Sequence, residues 1–484
     1  MKKKMILISG NFNILHPGHL RLFKFAKKLG NQLYVGIFSD KIAGDEAYIK
    51  ENLRYEALSA NKMIDKVFLI KKDISYYIKK IKPDFVVKGK EHENEFNIEK
   101  KYLEKFGGKL IFSSGEIVFS SKNLFHKEAY DLKKNSNLNN NFNKRHKITK
   151  KKIYSIINDF KKIKSIVIGD TIIDEYIFCE SLGLSQEDNS IIYKSDQNQK
   201  FIGGAGIVAS HLSSLGANVE LLTILGNDHN KNFVIEKLKE YKINNSIITD
   251  NSRSTNLKVR YKFKNNTVFR LSELSNFEVD KKIQNKIFHR VKKLVDDKKI
   301  NLIIFSDFNY GLLTPDLINR IIEYAKKRNI CLTADSQISS QIGDITKYKD
   351  INLLSSTEFE ARTSLKNTND GLVILSEKLR KITNNLNIIL KLQEDGVFIH
   401  AANKDKNIKS EYENDEIYAI NKSPVDTAGA GDSMLVATSL SLALGKDIWT
   451  STLLGNFAAA IQISRYGNQP IKLTELKKII KNSL

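Results

Sequence analysis

The sequence is short of several things, and each shortage removes a class of protein. Of 484 residues only two are cysteine, Cys179 and Cys331, far apart and outside any Cys-x-x-Cys or histidine-flanked pattern. That excludes a disulfide framework and a zinc cluster, and makes a reducing cytoplasm the expected setting. No apolar run approaches the roughly 18 residues that a bilayer span needs, so membrane insertion is not expected. Met1-Lys2-Lys3-Lys4 is basic, but the apolar run at 5–9 meets Gly10 and Asn11 too soon for a cleavable signal and reads as a buried first strand. No internal repeat is visible. There is also no basic stripe interleaved with aromatics. The net charge of +23 comes from lysines spread through every segment, which argues against a nucleic-acid partner and for a solvated surface that can draw in anionic small molecules.

What is present is α/β alternation. Short apolar runs at 5–9, 33–38, 66–70, 85–88 and 109–113 are separated by helical patterns, which predicts a parallel sheet. Between about 127 and 152 the pattern fails in a stretch dominated by asparagine and lysine, expected to be a linker. Alternation resumes at 165–168 and continues through 219–224, 302–305, 330–334, 388–392 and 397–399. Residues 258–271 form two extended stretches around Lys264-Asn265-Asn266 and, with 190–194, suit a small β-flap over a cleft. The expected organisation is therefore an α/β domain over 1–126, a linker over 127–152 and a larger α/β domain over 153–484.

The segment with the most chemical content is Asp426-Thr427-Ala428-Gly429-Ala430-Gly431-Asp432-Ser433, followed by an apolar helix pattern. Backbone N–H groups at Thr427, Gly429, Ala430 and Gly431, with the positive end of the helix, would make an anion hole for a phosphoryl group in transfer. Asp432 at the helix mouth is placed to accept the proton of an attacking sugar hydroxyl. Standing alone, the same residues also read as a glycine-rich turn capped by aspartate.

Taken with other segments in order, this run resembles the signature of the ribokinase-like (PfkB) carbohydrate kinases over about residues 164–467. The resemblance implies ATP as phosphoryl donor with Mg2+. Asp170 and Asp174 in Gly169-Asp170-Thr171-Ile172-Ile173-Asp174, the pair Gly203-Gly204, and Asp307 after an apolar strand are then sugar-binding, although each also suits a cap or turn. Lys391, Gly396 and Asn456 fall where the family holds the nucleotide, otherwise a commonplace strand end and small-residue helix. Ser355-Ser356-Thr357-Glu358 is similar to an Asn-x-x-Glu element whose acid, here Glu358, organises Mg2+ through water. Within the family the likeness is to heptose 7-phosphate kinases, supported by the flap cations Lys258, Arg260 and Arg270, which would grip a phosphate already on the sugar or else be solvated. Those kinases carry asparagine where this chain has Ile207.

Gly10-Asn11-Phe12-Asn13-Ile14-Leu15-His16-Pro17-Gly18-His19 follows the first strand and opens a helix. Two histidines three apart on one helix face, beside its N-terminus, are suited to stabilising charge during nucleotidyl transfer. This region resembles the cytidylyltransferase-like nucleotidyltransferases, with a Rossmann-like fold implied. By that resemblance His16 and His19 are catalytic, and Phe12, Asn13, Arg54, Lys88, Ser120 and Ser121 meet the nucleotide or its phosphates; Arg54 and the serines otherwise read as a helix charge and an N-cap. Asn13 stands where the family has aspartate, Ala43 where it has lysine, and Lys122 where it has threonine. The two halves together are similar to the bifunctional enzymes of nucleotide-activated heptose synthesis, with the order of domains reversed. The implied ligands are sugar phosphates and nucleotides, with a homodimer through the flap. Alternatives are a kinase for another sugar joined to a CTP-dependent polyol-phosphate cytidylyltransferase, and a ligand-binding regulator with degenerate sites.

Overall fold

Each apolar run in the first 113 residues becomes a strand of one parallel sheet in the computed structural model, which describes residues 4–13, 15, 17–47, 49–89, 97–113, 139–264, 266–337, 343–401, 414–421 and 423–484. The strands are β1 (Met5–Gly10), β2 (Gln32–Phe38), β3 (Lys66–Ile70), β4 (Phe85–Gly89) and β5 (Lys109–Ser113), in the order β3-β2-β1-β4-β5. Side-chain alternation fills both faces. Ile6 and Ile8 join Phe23, Ala26 and Leu29 of the Pro17–Leu29 helix, while Leu7 packs with Val86, Ile74, Ile78 and Leu103 on the other side. The chain reverses direction across the sheet between β1 and β4, so the crevice at their carboxyl ends is where such a sheet binds ligands.

The chain divides into two compact units, one built chiefly on Met1–Asn141 and the other on Phe142–Leu365 and Leu379–Leu484. In the second unit the strands are β6 (Lys164–Gly169), β7 (Thr171–Leu184), β8 (Ile191–Gly204), β9 (Asn218–Leu225), β10 (Asn244–Thr249), β11 (Leu257–Phe263), β12 (Asn266–Glu273), β13 (Leu302–Asp307), β14 (Cys331–Ser336), β15 (Leu353–Thr357), β16 (Asn387–Lys391), β17 (Val397–Ala401) and β18 (Asn414–Ile417). Among the described residues nine form the main sheet, β10-β9-β6-β13-β14-β15-β16-β17-β18, with parallel pairing except at β16–β17 and β17–β18. Four form the flap, β12-β11-β7-β8. The flap strands β7 and β8 run 14 residues each, longer than the sequence pattern indicates, because their outer halves are exposed and carry no apolar period. Helices Ala430–Ala443 and Ile448–Gln462 are apolar on every side and almost wholly buried, which makes them the centre of the core.

The expected linker meets a different outcome over its last residues. Residues 127–138 lie outside the described residues, but Asn140–Arg145 and Lys150–Asn158 are helical, and Phe142, Ile148, Ile153, Ile156 and Ile157 enter the second unit's core. Arg145 chelates Asp415 at 2.8 and 2.9 Å, and the His146 ring stacks on Trp449 with centroids 4.4 Å apart. Asparagine and lysine between these apolar positions conceal the helical period. No helix among the described residues is long and apolar enough to cross a membrane.

Candidate functional site

In the second unit, the carboxyl ends of β14 and β16 meet the N-terminus of the Ala430–Ala443 helix. Asp432, third residue of that helix, is 5% exposed. A side chain added at Gly431 would stand 3.1 Å from the Lys391 ammonium and 3.5 Å from the Asp335 carboxylate. The helix mouth therefore adjoins a buried Lys391–Asp335 ion pair of 2.5 Å. Burial, then the charge of Asp335, pushes the Asp432 carboxyl up to about 7 against the pull of Lys391. Burial likewise raises Asp335 to about 6. Burial would lower Lys391, but Asp335 and Glu360 outweigh it and hold the ammonium above its ordinary range. The first N–H groups of the helix have no intrahelical carbonyl to meet, and Ala430 N–H reaches only the Thr427 carbonyl at 3.4 Å. Unpaired helix N–H groups, a buried ammonium and two carboxyl groups thus share one place. Thr427 itself is exposed at its rim, and Gly429 holds the helix N-cap in a left-handed conformation.

Asp174 approaches the same centre from the flap, and its charge adds to the raising of Asp432. It forms a 3.0 Å ion pair with Arg260 and accepts from the Asn468 amide at 2.9 Å. Gly203 lies so near that a Cβ would meet the Asp174 carboxylate at 2.5 Å, and Gly204 takes φ +59 with the Asp170 carbonyl where a Cβ would stand. The Lys258 ammonium lies 5.5 Å from the ring centres of Phe308 and Tyr310 and acts electrostatically on Asp432. Arg270 is exposed on β12, opposite Arg260 in register. Ile207 is wholly buried in the core.

Several expected site residues also make internal contacts. The Asp307 carboxylate meets Tyr348 Oη at 2.8 Å, Ser336 Oγ at 3.1 Å, Lys347 Nζ at 2.6 Å and the Asn309 N–H at 2.8 Å, which tie it to the surrounding loops. Asp170 accepts from the N–H groups of Phe308 and Tyr310 and is pushed by burial, then by Asp307, up to about 7. These two bonds tie it to the loop after β13. Glu358 is tied to Arg362 at 2.7 Å one helical turn on, whereas Glu360, buried in a capping box with Thr357, is the acid that acts on Asp335 and Lys391. Gly396 at φ +100 passes within 2.1 Å, at its missing Cβ, of the Ile417 carbonyl, and the Asn456 amide donates to the Tyr418 carbonyl at 2.8 Å. Both brace the segment after β18.

Magnesium fits this centre. Asp335 Oδ1 and the Ser355 hydroxyl, side by side on β14 and β15, are buried without a hydrogen-bond partner. Among the described residues no three His, Cys, Asp or Glu side chains form a metal cage. Few protein oxygens, with water and phosphates completing the shell, is the pattern magnesium favours.

In the first unit His19 lies in the first turn of the Pro17–Leu29 helix, its ring 5.0 Å from Phe12 and stacked 6.5 Å from Phe23. Phe12 is a core residue at φ +49 whose ring packs against His19. Asn13 pins the 46–49 loop through the Glu46 carbonyl at 2.7 Å and the Ile49 N–H at 3.3 Å. Lys88 pairs with the buried Glu99 at 3.1 Å. Arg54 is engaged by the protein itself. Its side chain is fully buried and donates to the carbonyls of Ile49, Asn11 and Phe38 and to Asp40. Arg54→Leu is expected to lower the unfolding free energy of this unit by about 3 kcal/mol or more, read by hydrogen exchange in β1 and β2. Unchanged exchange with a raised nucleotide KM would support the phosphate role. His16, Ser120 and Ser121 lie outside the described residues.

Asn468, Gln462 and Glu360 carry no spacing signal in the sequence. Only tertiary contact reveals them: Gln462 donates to the carbonyls of Ala428 and Gly467, and Asn468 to Asp174.

A family model described as pfkB family carbohydrate kinase matches residues 162–475, and one described as cytidylyltransferase-like matches residues 7–118. The chain is similar to the bifunctional protein HldE of Campylobacter jejuni subsp. jejuni serotype O:2, 30% identical over 323 residues, 66% of this chain and 64% of that protein. It is also similar to the HldE of Sulfurimonas denitrificans, 27% identical over 317 residues, 65% of this chain and 63% of the relative. The match thus spans a little under two thirds of these relatives. In fold the chain is similar to phosphofructokinase-2 from Escherichia coli in complex with substrates and products, with a TM-score of 0.52 at 13% identity over 66% of this chain and 98% of that one. Ribokinase from Giardia lamblia gives a TM-score of 0.52 at 15% identity over the same shares.

Proposed function

The chain belongs to the pfkB family of carbohydrate kinases, and from that premise we propose that its second unit phosphorylates a sugar phosphate with ATP, heptose 7-phosphate first among candidates. The first unit, in this reading, transfers a nucleotidyl group to a sugar 1-phosphate. One observation carries the kinase half: Asp432 stands at a helix mouth beside the buried Lys391–Asp335 pair and within the field of Asp174. Asp174 and the backbone at Gly203 hold sugar hydroxyls. Asp432 takes the proton of the attacking hydroxyl; its oxygen bonds to the γ-phosphorus, the bond to the β–γ bridging oxygen breaks, and that electron pair leaves with ADP. The helix N–H groups and Lys391 stabilise the charge on the transferred group. Asp335 and Ser355, with Glu360 nearby in charge, would hold magnesium, which would screen the triphosphate.

The cytidylyltransferase-like match and His19 beside a helix N-terminus at the β1/β4 crevice support nucleotidyl transfer in the first unit. A 7-phosphate kinase acting at O1 yields a bisphosphate, so a phosphatase step belongs between the two reactions. Release of ADP with heptose 7-phosphate and of pyrophosphate with heptose 1-phosphate is the expected result. Silence across heptose, hexose and glycerol phosphates would reject the proposal, and running ATP against CTP identifies the nucleotide.

Exposed Phe269 and Leu271 on β12, with Leu182, Leu184, Ile191 and Ile192 at the β7–β8 tip, support a homodimer through the flap. Phe269→Lys with Leu184→Lys is expected to halve the mass in light scattering; a monomeric wild type would refute it.

A further inference from the structure

We infer that Tyr176 is a positioning residue which couples occupancy of the carbohydrate site to the shape of the phosphoryl-binding loop, an inference that rests on the kinase reading above. A closed ring of polar contacts joins the two. Arg260 holds Asp174 with one nitrogen and donates to the Tyr176 hydroxyl with the other at 2.8 Å. That hydroxyl, its lone pair engaged, donates to Asp426 at 2.7 Å, at the start of the loop. Asp426 accepts in turn from the N–H groups of Ala428 at 3.2 Å and Gly467 at 3.0 Å. From Gly467 the next residue closes the ring, since the Asn468 amide donates back to Asp174.

Apart from the Arg260–Asp174 ion pair, the links are hydrogen bonds whose direction is determined. Carboxylates and arginine admit one polarity only, so the hydroxyl has a single proton arrangement and Asn468 a single amide orientation. With its nitrogen on Asp174, Asn468 turns its carbonyl oxygen to Gly429, where a Cβ would stand 2.3 Å away. The Lys262 ammonium lies 4.9 Å and 5.1 Å from the ring centres of Tyr176 and Tyr466, buried with the flap and lowering Asp426. Gln462 ties Ala428 to Gly467 beneath the ring. Asp174 Oδ1, facing only the Arg260 charge, has room in its hydrogen bonding for a sugar hydroxyl. A hydroxyl donated there competes with Arg260, and the change passes through Tyr176 to Asp426 and the turn at Ala428–Gly429, because chains of polarised hydrogen bonds respond together. The flap strands and the anion hole are thereby one cooperative element.

The test is a two-substrate initial-rate grid with ATP and heptose 7-phosphate on the full chain. In the wild type, bound sugar phosphate is expected to tighten ATP at least fivefold, within the range of ordinary coupling. Tyr176→Phe, which keeps the ring and removes only the oxygen, is expected to bring that ratio to about 1, raising the KM for ATP at saturating sugar. Asn468→Ala, cutting the ring on its other side, is expected to do the same. A merely structural tyrosine would lower the melting temperature and active fraction and leave the ratio alone. An unchanged ratio in both variants, or a ratio of 1 in the wild type, overturns the inference while leaving the kinase intact. Absence of any phosphorylation by the wild type would instead sink the kinase reading, and this inference with it.

Discussion

Asp432→Asn lowers kcat for sugar phosphorylation by about 10²–10⁴-fold, the share a positioned base contributes, with little change in either KM. Asparagine preserves the shape of the helix mouth but cannot take the hydroxyl proton. The pH profile supplies the sign. Because burial and Asp335 raise the carboxyl to about 7, the competent, ionised form accumulates as pH rises, so wild-type kcat/KM climbs through about 7 and then levels. Asp335, raised to about 6, titrates nearby, and the observed steps belong to the pair. Stability runs the other way. A carboxyl whose folded pKa exceeds its ordinary 3.8 binds its proton more tightly when folded, so its contribution is full below 3.8 and is lost as pH rises to about 7. Asp432→Asn should therefore melt higher than the wild type at pH 8 and alike at pH 4. An active Asp432→Asn enzyme would remove the base from the mechanism.

Lys391→Met is expected to cost both rate and stability. The ammonium pairs with Asp335 at 2.5 Å and counters Glu360 and Asp432. Removing it takes a cation from the transferred phosphoryl group, worth about 10²–10³-fold in kcat, and leaves buried carboxylates uncompensated, a loss of about 3–5 kcal/mol. The stability deficit should shrink at pH 5, below the values near 6 and 7 of Asp335 and Asp432, because protonation removes the uncompensated charge. Adding Asp335→Asn should restore part of the stability and none of the rate. A Lys391→Met protein that unfolds like the wild type at pH 8 would show that the pair is not the buried keystone of this centre.

Much of the architecture was legible because period and composition are local properties. The five strands of the first unit and most of the main sheet stand where alternation predicts them; β11, β12 and the start of β8 fall in the extended stretches expected of the flap, and β7 does not. β10, β15 and β18 escape a search for long apolar runs: the first carries asparagines, the second ends in serines and threonine, and the third is a polar edge. The core helix at 153–157 escapes too, since lysines surround its apolar face.

Residue order alone specifies the pair of α/β units and the chemistry-bearing loop from Asp426 to Asp432, whose glycines, aspartate and helix are contiguous. Which charges adjoin that loop is settled by contacts between distant parts of the chain. Arg54, Asp307 and Lys88 are held by internal partners, Glu360 sits in a capping box while Glu358 pairs with Arg362, and Asn468 reaches Asp174 across 294 positions of chain. The reason is physical: a side chain's charge is written in its residue type, but whether it meets substrate or a neighbouring carbonyl depends on partners that folding alone brings within 3 Å.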